Sequence, residues 1–210
     1  MRKEGKAARL LVPCRCCGTK SFLKRKDFGQ QPLCFDYGTS IGPGRPAKSF
    51  PLGLGECQHC GVIQLTEPVP PAMLVPHYSW VQNKEPEDHL PQLASDVAAA
   101  FQDSPARVLL ISYFDDKFGE ALAEKIPISL ARLDPKADLG ITLDQPGQAL
   151  IQEAISHAGP GSIARLVGQF NLVVCCRMLE HAHETKKFVS TLKKFLTPNG
   201  RLLLEIPESS

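Results

Sequence analysis

The sequence predicts an α/β protein built from two parts, a small cysteine-rich domain and an open parallel sheet covered by helices. Six of the eight cysteines fall within the first 60 residues. From about residue 105 onward, apolar runs typical of buried strands alternate with helical patterns. Strands that alternate with helices form βαβ crossovers, which place the strands parallel in one sheet. We therefore expect a cysteine-rich domain over 12–75, a proline-rich connector over 76–91 and a sheet domain over 92–210.

Length, composition and charge narrow the classes of protein to which the chain can belong. Its 210 residues suit one ordinary domain, or one small and one medium domain, and an apolar content of 43% excludes wholesale disorder. A net charge of +2 does not point to nucleic acid or to an anionic membrane. No apolar run approaches the roughly 20 residues of a membrane helix, and the basic N-terminus lacks the apolar core of a secretory signal. We expect a cytoplasmic protein with reduced thiols.

The first part of the chain is rich in glycine, proline and cysteine and contains only short apolar runs, such as Val62-Ile-Gln-Leu65. Gly and Pro interrupt these runs, so turns and short strands are expected rather than helices. A segment with so little apolar area needs a covalent or metal crosslink to fold.

Two Cys-x-x-Cys-Gly motifs supply that crosslink, one ending at Gly18 and the other at Gly61. Two thiolates on one tight turn can occupy adjacent corners of a zinc tetrahedron, so two such turns complete the site. The predicted ligands are Cys14, Cys17, Cys57 and Cys60. A zinc ion with four protein ligands has no open position for water, so we expect a structural role.

Other uses of these cysteines are disulfides or a redox pair. Clustering at one end of a chain without an export signal favours a metal over a disulfide scaffold. Cys16, Cys34 and His59 are spare candidate ligands that we expect to be bystanders. Several basic residues follow the first motif, but with the chain almost neutral overall they fit a solvated turn better than a nucleic-acid surface.

The second part contains the elements of a parallel sheet in alternation. Apolar runs predict strands over 107–112, 126–133, 170–176 and 201–206. Helical spacing predicts helices over 93–101, 118–125, 147–157 and 185–196. Pro198-Asn-Gly200 is typical of a helix stop and separates the last helix from the last strand.

The candidate ligand-binding residues follow these strands. In an open parallel sheet, ligands bind beyond the carboxyl ends of the strands at the switch point. Ser112 opens the loop after the first strand, and Asp134 follows the second strand. Asp134 lies 22 residues beyond Ser112, close to the interval expected for a carboxylate that binds ribose hydroxyls. The segment 177–181 follows the third strand at the same edge.

Three stretches of sequence carry a family resemblance. These are Phe28-Gly-Gln-Gln-Pro-Leu33, Phe50-Pro-Leu-Gly-Leu-Gly-Glu-Cys57 and Phe170-Asn-Leu-Val-Val-Cys-Cys-Arg-Met-Leu-Glu-His181. Together with the two cysteine motifs, they resemble the sugar C-methyltransferases, which use S-adenosylmethionine and carry an N-terminal zinc-binding domain. The resemblance implies the first five strands of a Rossmann-like class I methyltransferase sheet, incomplete at the C-terminus.

The resemblance also implies site residues, a cofactor and an acceptor. Ser112, Asp115 and Asp134 would contact S-adenosylmethionine, with Asp134 on the ribose. His181 and Tyr78 would face the acceptor, a nucleotide-linked sugar or similar small molecule, for acid/base work or positioning.

The chain departs from the family at the loop after the first strand and in length. Ser112 and Asp116 stand where the family has glycines. If φ is positive there, a side chain costs roughly 1–2 kcal/mol, and Asp116 adds negative charge near the methionine carboxylate. The chain also ends at Ser210, before the family's remaining strands and most of its catalytic groups.

These departures support an alternative function. A fragment, or a shortened relative without a cofactor, can serve as a non-catalytic binding or assembly subunit. Its last strand leaves a sheet edge that a protein partner or a second copy would cover.

Overall fold

The computed structural model describes residues 12–33, 48–75, 87–101, 105–144 and 146–207. Contacts divide the chain into two compact units, Met1–Ser79 and Trp80–Ser210. The division falls inside the segment 76–91, where the sequence is rich in proline. Each unit is described by itself below.

The first unit contains a three-stranded antiparallel sheet. Its strands are β1 (Phe22–Pro32), β2 (Ser49–Cys57) and β3 (Ile63–Leu65), in the order β1-β2-β3. Beyond Phe22 and its neighbour, β1 is exposed along its whole length. Among the described residues of this unit the buried apolar core is correspondingly small, with Phe22 packed against Cys14 and Cys57. Such a core cannot stabilise the unit alone, which agrees with the predicted need for a crosslink.

The second unit contains a parallel sheet covered by helices, which confirms the predicted α/β class. The strands are β4 (Ala106–Leu110), β5 (Ile128–Arg132), β6 (Phe170–Cys176) and β7 (Leu196–Glu205), in the order β5-β4-β6-β7. Every neighbouring pair is parallel. The described residues thus form the four strands predicted from the apolar runs, whereas the resemblance implied five.

Five helices accompany this sheet. They are α1 (Leu90–Ala99), α2 (Asp116–Ala123), α3 (Pro135–Leu139), α4 (Gly147–His157) and α5 (Thr185–Phe195). The helix predicted over 185–196 is found at Thr185–Phe195, but the strand predicted over 201–206 begins earlier, where Leu196 pairs with Phe170. Pro198 is tolerated inside β7 because β7 is an outer strand, where a missing N–H need not break the ladder.

Alternating strand residues bury both faces of the sheet. Val108 and Leu110 of β4 pack with α1 and α2 in one apolar cluster. Leu109, with Ile111 just beyond the strand, packs with α4 and α5 in another. Burial on both faces explains why β4 and β6 have continuous apolar sequences. The carboxyl ends of the strands are left as the edge where ligands can bind. No helix in the described ranges is long and apolar enough to cross a membrane.

Candidate functional site

The four predicted zinc ligands converge in the first unit. The sulfur atoms of Cys14, Cys17, Cys57 and Cys60 all lie within 4.8 Å of one another. Two of the separations are 3.6 Å for Cys14–Cys60 and 3.5 Å for Cys17–Cys57. Tetrahedral zinc with Zn–S bonds of about 2.3 Å needs sulfurs about 3.8 Å apart, so the four thiols fit a zinc ion. The predicted four-cysteine site is confirmed by this geometry.

The two cysteine turns have the same backbone hydrogen bonds. Cys14 N–H donates to the Thr19 carbonyl over 2.7 Å, and Cys57 N–H donates to the Val62 carbonyl over 2.8 Å. Gly18 N–H donates to Cys14, and the equivalent glycine of the second turn donates to Cys57 in the same way. The equivalence follows from the repeated Cys-x-x-Cys-Gly sequence, which folds into one local structure twice.

Glycine is required at the end of each turn. Gly18 has a φ of +80° and Gly61 a φ of +75°, conformations that side chains disfavour. This turn lets backbone N–H groups face sulfur, as Cys17 N–H does for Cys14 Sγ at 3.4 Å. Burial of the Cys57 thiol raises its pKa, but the backbone N–H groups of Cys60 and His59, together with the thiols of Cys17 and Cys60, lower the pKa to about 6. Amide donors of this kind favour the thiolate form that binds metal.

The spare candidates lie apart from the four-sulfur cluster. Cys16 and His59 are exposed and outside the cluster, although each is adjacent in sequence to a member of a ligand pair. Cys34 lies outside the described residues.

Gln64 supports the zinc-binding turns, a role that the cysteine motifs did not predict. Its side chain is buried, with Oε1 accepting from Arg15 N–H at 3.0 Å and Nε2 donating to the Pro13 carbonyl at 3.3 Å. These bonds tie the first cysteine turn to β3. The signal in the sequence is a polar residue at the centre of the apolar run Val62–Leu65.

In the second unit, Ser112 and Asp115 lie in the turn after β4, where a 3₁₀ helix spans Tyr113–Asp115. Asp115 is fully buried, and its Oδ2 accepts from Ile111 N–H at 2.8 Å and Ser112 N–H at 2.7 Å. Its Oδ1 accepts from Cys176 N–H at 2.7 Å. Burial raises the pKa of Asp115 to about 6 even though these amide donors lower it. The carboxylate is therefore ionised at neutral pH and joins the turn to the end of β6.

Ser112 and Asp116, which stand where the resemblance led us to expect glycines, adopt ordinary backbone conformations. Ser112 has φ −139° and Asp116 has φ −61°, so the expected strain of a positive φ is wrong. The Ser112 hydroxyl accepts from Phe114 N–H and turns into the protein, with 5% of the residue exposed. Asp116 forms an ion pair with Arg132 of β5, which offsets the negative charge expected to repel a ligand carboxylate.

Asp134 follows β5 at the same edge of the sheet. It is exposed, and its Oδ1 accepts from Lys136 N–H at 2.8 Å and Ala137 N–H at 3.0 Å, capping α3. The N–H groups of Ala137 and Lys136 lower the pKa of this carboxyl, so it is ionised at neutral pH. Buried Asp138 accepts from Asp134 N–H at 2.8 Å and pairs with Arg165 through both carboxylate oxygens. The sequence did not indicate this pair, because 27 residues separate Asp138 from Arg165.

The remaining predicted site residues are His181 and Tyr78. His181 is exposed and ends a short 3₁₀ helix, Leu179–His181, beyond β6. Tyr78 lies outside the described residues. The structure thus brings Ser112, Asp115, Asp134 and His181 to the carboxyl ends of three neighbouring strands.

Large side chains also occupy this edge. The rings of Tyr113 and Phe114 lie 4.2 Å apart, and the Arg177 guanidinium lies 5.6 Å above the Phe114 ring. Gln148 of α4 donates to the Tyr113 hydroxyl at 3.5 Å. Burial raises the pKa of Tyr113, so its hydroxyl stays protonated at neutral pH.

Comparison with known proteins identifies a family domain in the first unit. Residues 14–74 match the family model Methyltransf_13, which is described as a zinc binding domain. None of the curated proteins compared with the chain matches it. The matched range begins at the first predicted ligand and includes all four. Sequence match and sulfur geometry agree that residues 14–74 form a zinc-binding domain of the kind associated with methyltransferases.

Proposed function

We propose that the chain is an S-adenosylmethionine-dependent C-methyltransferase-like protein that acts on a nucleotide-linked sugar or a similar small molecule. The main support for this proposal is the exposed, ionised carboxylate of Asp134, which lies on the same sheet edge as the turn after β4. A carboxylate at the end of the second strand is the group that parallel-sheet proteins use for ribose hydroxyls. The zinc-binding domain at 14–74 supports the same family.

The residues of this edge fit the proposed cofactor. The Ser112 side chain turns into the protein, and the Asp116 side chain turns toward Arg132. Neither side chain therefore covers the outer surface of the turn. Asp115 holds that turn from beneath through three backbone N–H groups. When bound, S-adenosylmethionine supplies a methyl group on a sulfonium for transfer. Asp134 would bind its ribose hydroxyls.

Carbon methylation also needs a base for the acceptor. A proton on the carbon beside a carbonyl must be removed before that carbon can attack a methyl group. We propose His181 for this step, because it is exposed at the carboxyl end of β6. We propose that Tyr78 positions the acceptor.

Asp134→Asn is expected to weaken binding of S-adenosylhomocysteine about tenfold or more. Asparagine keeps the size of the side chain but replaces an anionic acceptor with a neutral amide, which is a weaker partner for ribose hydroxyls. Isothermal titration calorimetry on zinc-loaded protein measures the change. Asp96→Asn, at an exposed position of α1, is the matched control and should leave affinity unchanged. Equal affinities for Asp134→Asn and the parent protein would contradict the ribose assignment.

A second candidate function has one specific observation in its favour. Tyr113, Phe114 and Arg177 place large side chains where β4 and β6 end, at the switch point of the sheet. These groups favour a methyltransferase-like zinc protein that acts as a non-catalytic binding or assembly subunit. In that case a partner or a second copy would pair along β7, an outer strand of the sheet.

Two measurements separate these functions. If the chain is an enzyme, calorimetry should detect heat of binding with S-adenosylmethionine. If it is an assembly subunit, the folded, zinc-loaded protein should give no such heat. Sedimentation velocity on the folded, zinc-loaded protein would then reveal self-association.

A further inference from the structure

The Glu87 carboxylate lies between two cationic side chains. Its Oε2 is 2.7 Å from Lys117 Nζ, and its Oε1 is 3.2 Å from Arg177 Nη2. The Glu87 side chain is 12% exposed and that of Arg177 is 15% exposed, whereas Lys117 is 66% exposed. The carboxylate is thus largely withdrawn from water, but one side of its surroundings opens to solvent. We call Lys117 and Arg177 the cation pair.

The cation pair lies at the switch point of the sheet. Lys117 is in the first turn of α2, directly after the turn that follows β4, and Arg177 directly follows β6. β4 and β6 are neighbours, with β5 beyond one and β7 beyond the other. Open parallel sheets bind their ligands in the crevice at this point. The Glu87 carboxylate therefore occupies a position next to the proposed cofactor edge.

Arg177 is held in an unusual conformation. Its φ of +53° makes it the one non-glycine residue with positive φ among those the structure describes. That conformation costs roughly 1–2 kcal/mol for an L-residue, and such outliers concentrate at ligand sites. The guanidinium lies above the Phe114 ring, and its Nε is 3.9 Å from the Glu205 carboxylate. These contacts fix the guanidinium beside the turn after β4 independently of Glu87.

We propose that Lys117 and Arg177 form an anion subsite and that Glu87 is its built-in occupant, displaced when a ligand carboxylate binds. This inference rests on the proposed function, because the amino-acid part of S-adenosylmethionine carries such a carboxylate. One carboxylate replaces another in the exchange, so the charge balance of the cation pair is unchanged. Glu205 continues to contact Arg177, and the exposed side of Lys117 gives the ligand access. Glu87 therefore acts as an internal competitor that lowers ligand affinity.

Glu87→Gln is expected to tighten binding of S-adenosylhomocysteine about tenfold, the gain expected if Glu87 occupies the subsite about 90% of the time. Binding of 5′-methylthioadenosine, which has the nucleoside but no carboxylate, should not change. Calorimetric titration of both compounds into zinc-loaded protein gives the two ratios. Glu124→Gln, at an exposed position next to the C-terminal end of α2, is the matched control and should change neither.

Lys117→Gln tests the same subsite in the opposite direction and does not depend on the folding of the Glu87 variant. This variant should weaken the binding of S-adenosylhomocysteine and leave the binding of 5′-methylthioadenosine unchanged. Unchanged affinities in both variants, with both compounds still binding, would overturn the subsite and leave the proposed function standing. If neither compound binds the parent protein or the Glu87 variant, the proposed function and the subsite both fail. A loss of thermal stability in Glu87→Gln without tighter binding would show a purely structural ion pair.

Discussion

Replacement of Cys57 by serine is expected to release zinc and unfold the first unit. Cys57 is 1% exposed and contributes both a ligand sulfur and part of the small core that the described residues form with Phe22 and Cys14. Structural zinc in zinc-finger peptides contributes about 10–16 kcal/mol of apparent binding free energy, which is also folding free energy. A small domain with so little apolar burial has no comparable reserve. Zinc content per chain and the rate of proteolysis within 14–74 measure the effect.

Cys16→Ser is the matched control for this variant. Cys16 is in the same turn as Cys14 and Cys17, but it is exposed and outside the four-sulfur cluster. We expect one zinc per chain and unchanged resistance to protease. A Cys57→Ser protein that retains zinc and resists protease, or a Cys16→Ser protein that loses zinc, would show that the ligand set is wrong.

Asp115→Ala is expected to destabilise the second unit by about 2–4 kcal/mol, because buried N–H groups lose an ionised acceptor. The variant removes the acceptor from Ser112 and Cys176, whereas Ile111 N–H keeps the Val174 carbonyl at 3.1 Å. For a domain of this size the midpoint of thermal unfolding should fall on the order of 10 °C. Differential scanning calorimetry of the zinc-loaded protein measures the change.

The adjacent carboxylate provides the comparison for that prediction. Asp116 is paired with Arg132, and both side chains are substantially exposed, so Asp116→Asn should cost less than about 1 kcal/mol. If the two variants unfold at the same temperature, Asp115 does not organise the turn. If Asp116→Asn is the less stable of the two, the ion pair to β5 is the more important interaction.

The zinc site could be predicted from sequence because its information is local. Each Cys-x-x-Cys-Gly motif encodes its own turn, including the left-handed glycine, and zinc chemistry demands two such turns. The pairing of the two motifs across the 39 residues between Cys17 and Cys57 required no further information, since no other thiol pairs with this spacing occur in the chain. The apolar runs of β4 and β6 were equally informative, because burial on both faces removes polar residues from a strand.

The candidate ligand edge was predicted only in part. Ser112 and Asp134 were placed correctly at strand ends, since strand ends follow from the apolar pattern. The conformation of the turn after β4 was not predictable. It depends on Arg132 of β5, which pairs with Asp116, and on Cys176 at the end of β6, which donates to Asp115. The positions of Glu87 and Arg165 depend in the same way on partners distant in sequence.

The sequence by itself determined the metal ligands, the α/β class and the strands whose ends carry candidate residues, because short-range spacing and hydrophobic periodicity encode these features. Only the tertiary structure decided that Ser112 and Asp116 turn away from the outer surface of the loop, and that Glu87 lies between Lys117 and Arg177. Ion pairs and buried carboxylates join segments that are far apart along the chain. Their partners are fixed by the packing of the sheet and its helices, which no local pattern specifies.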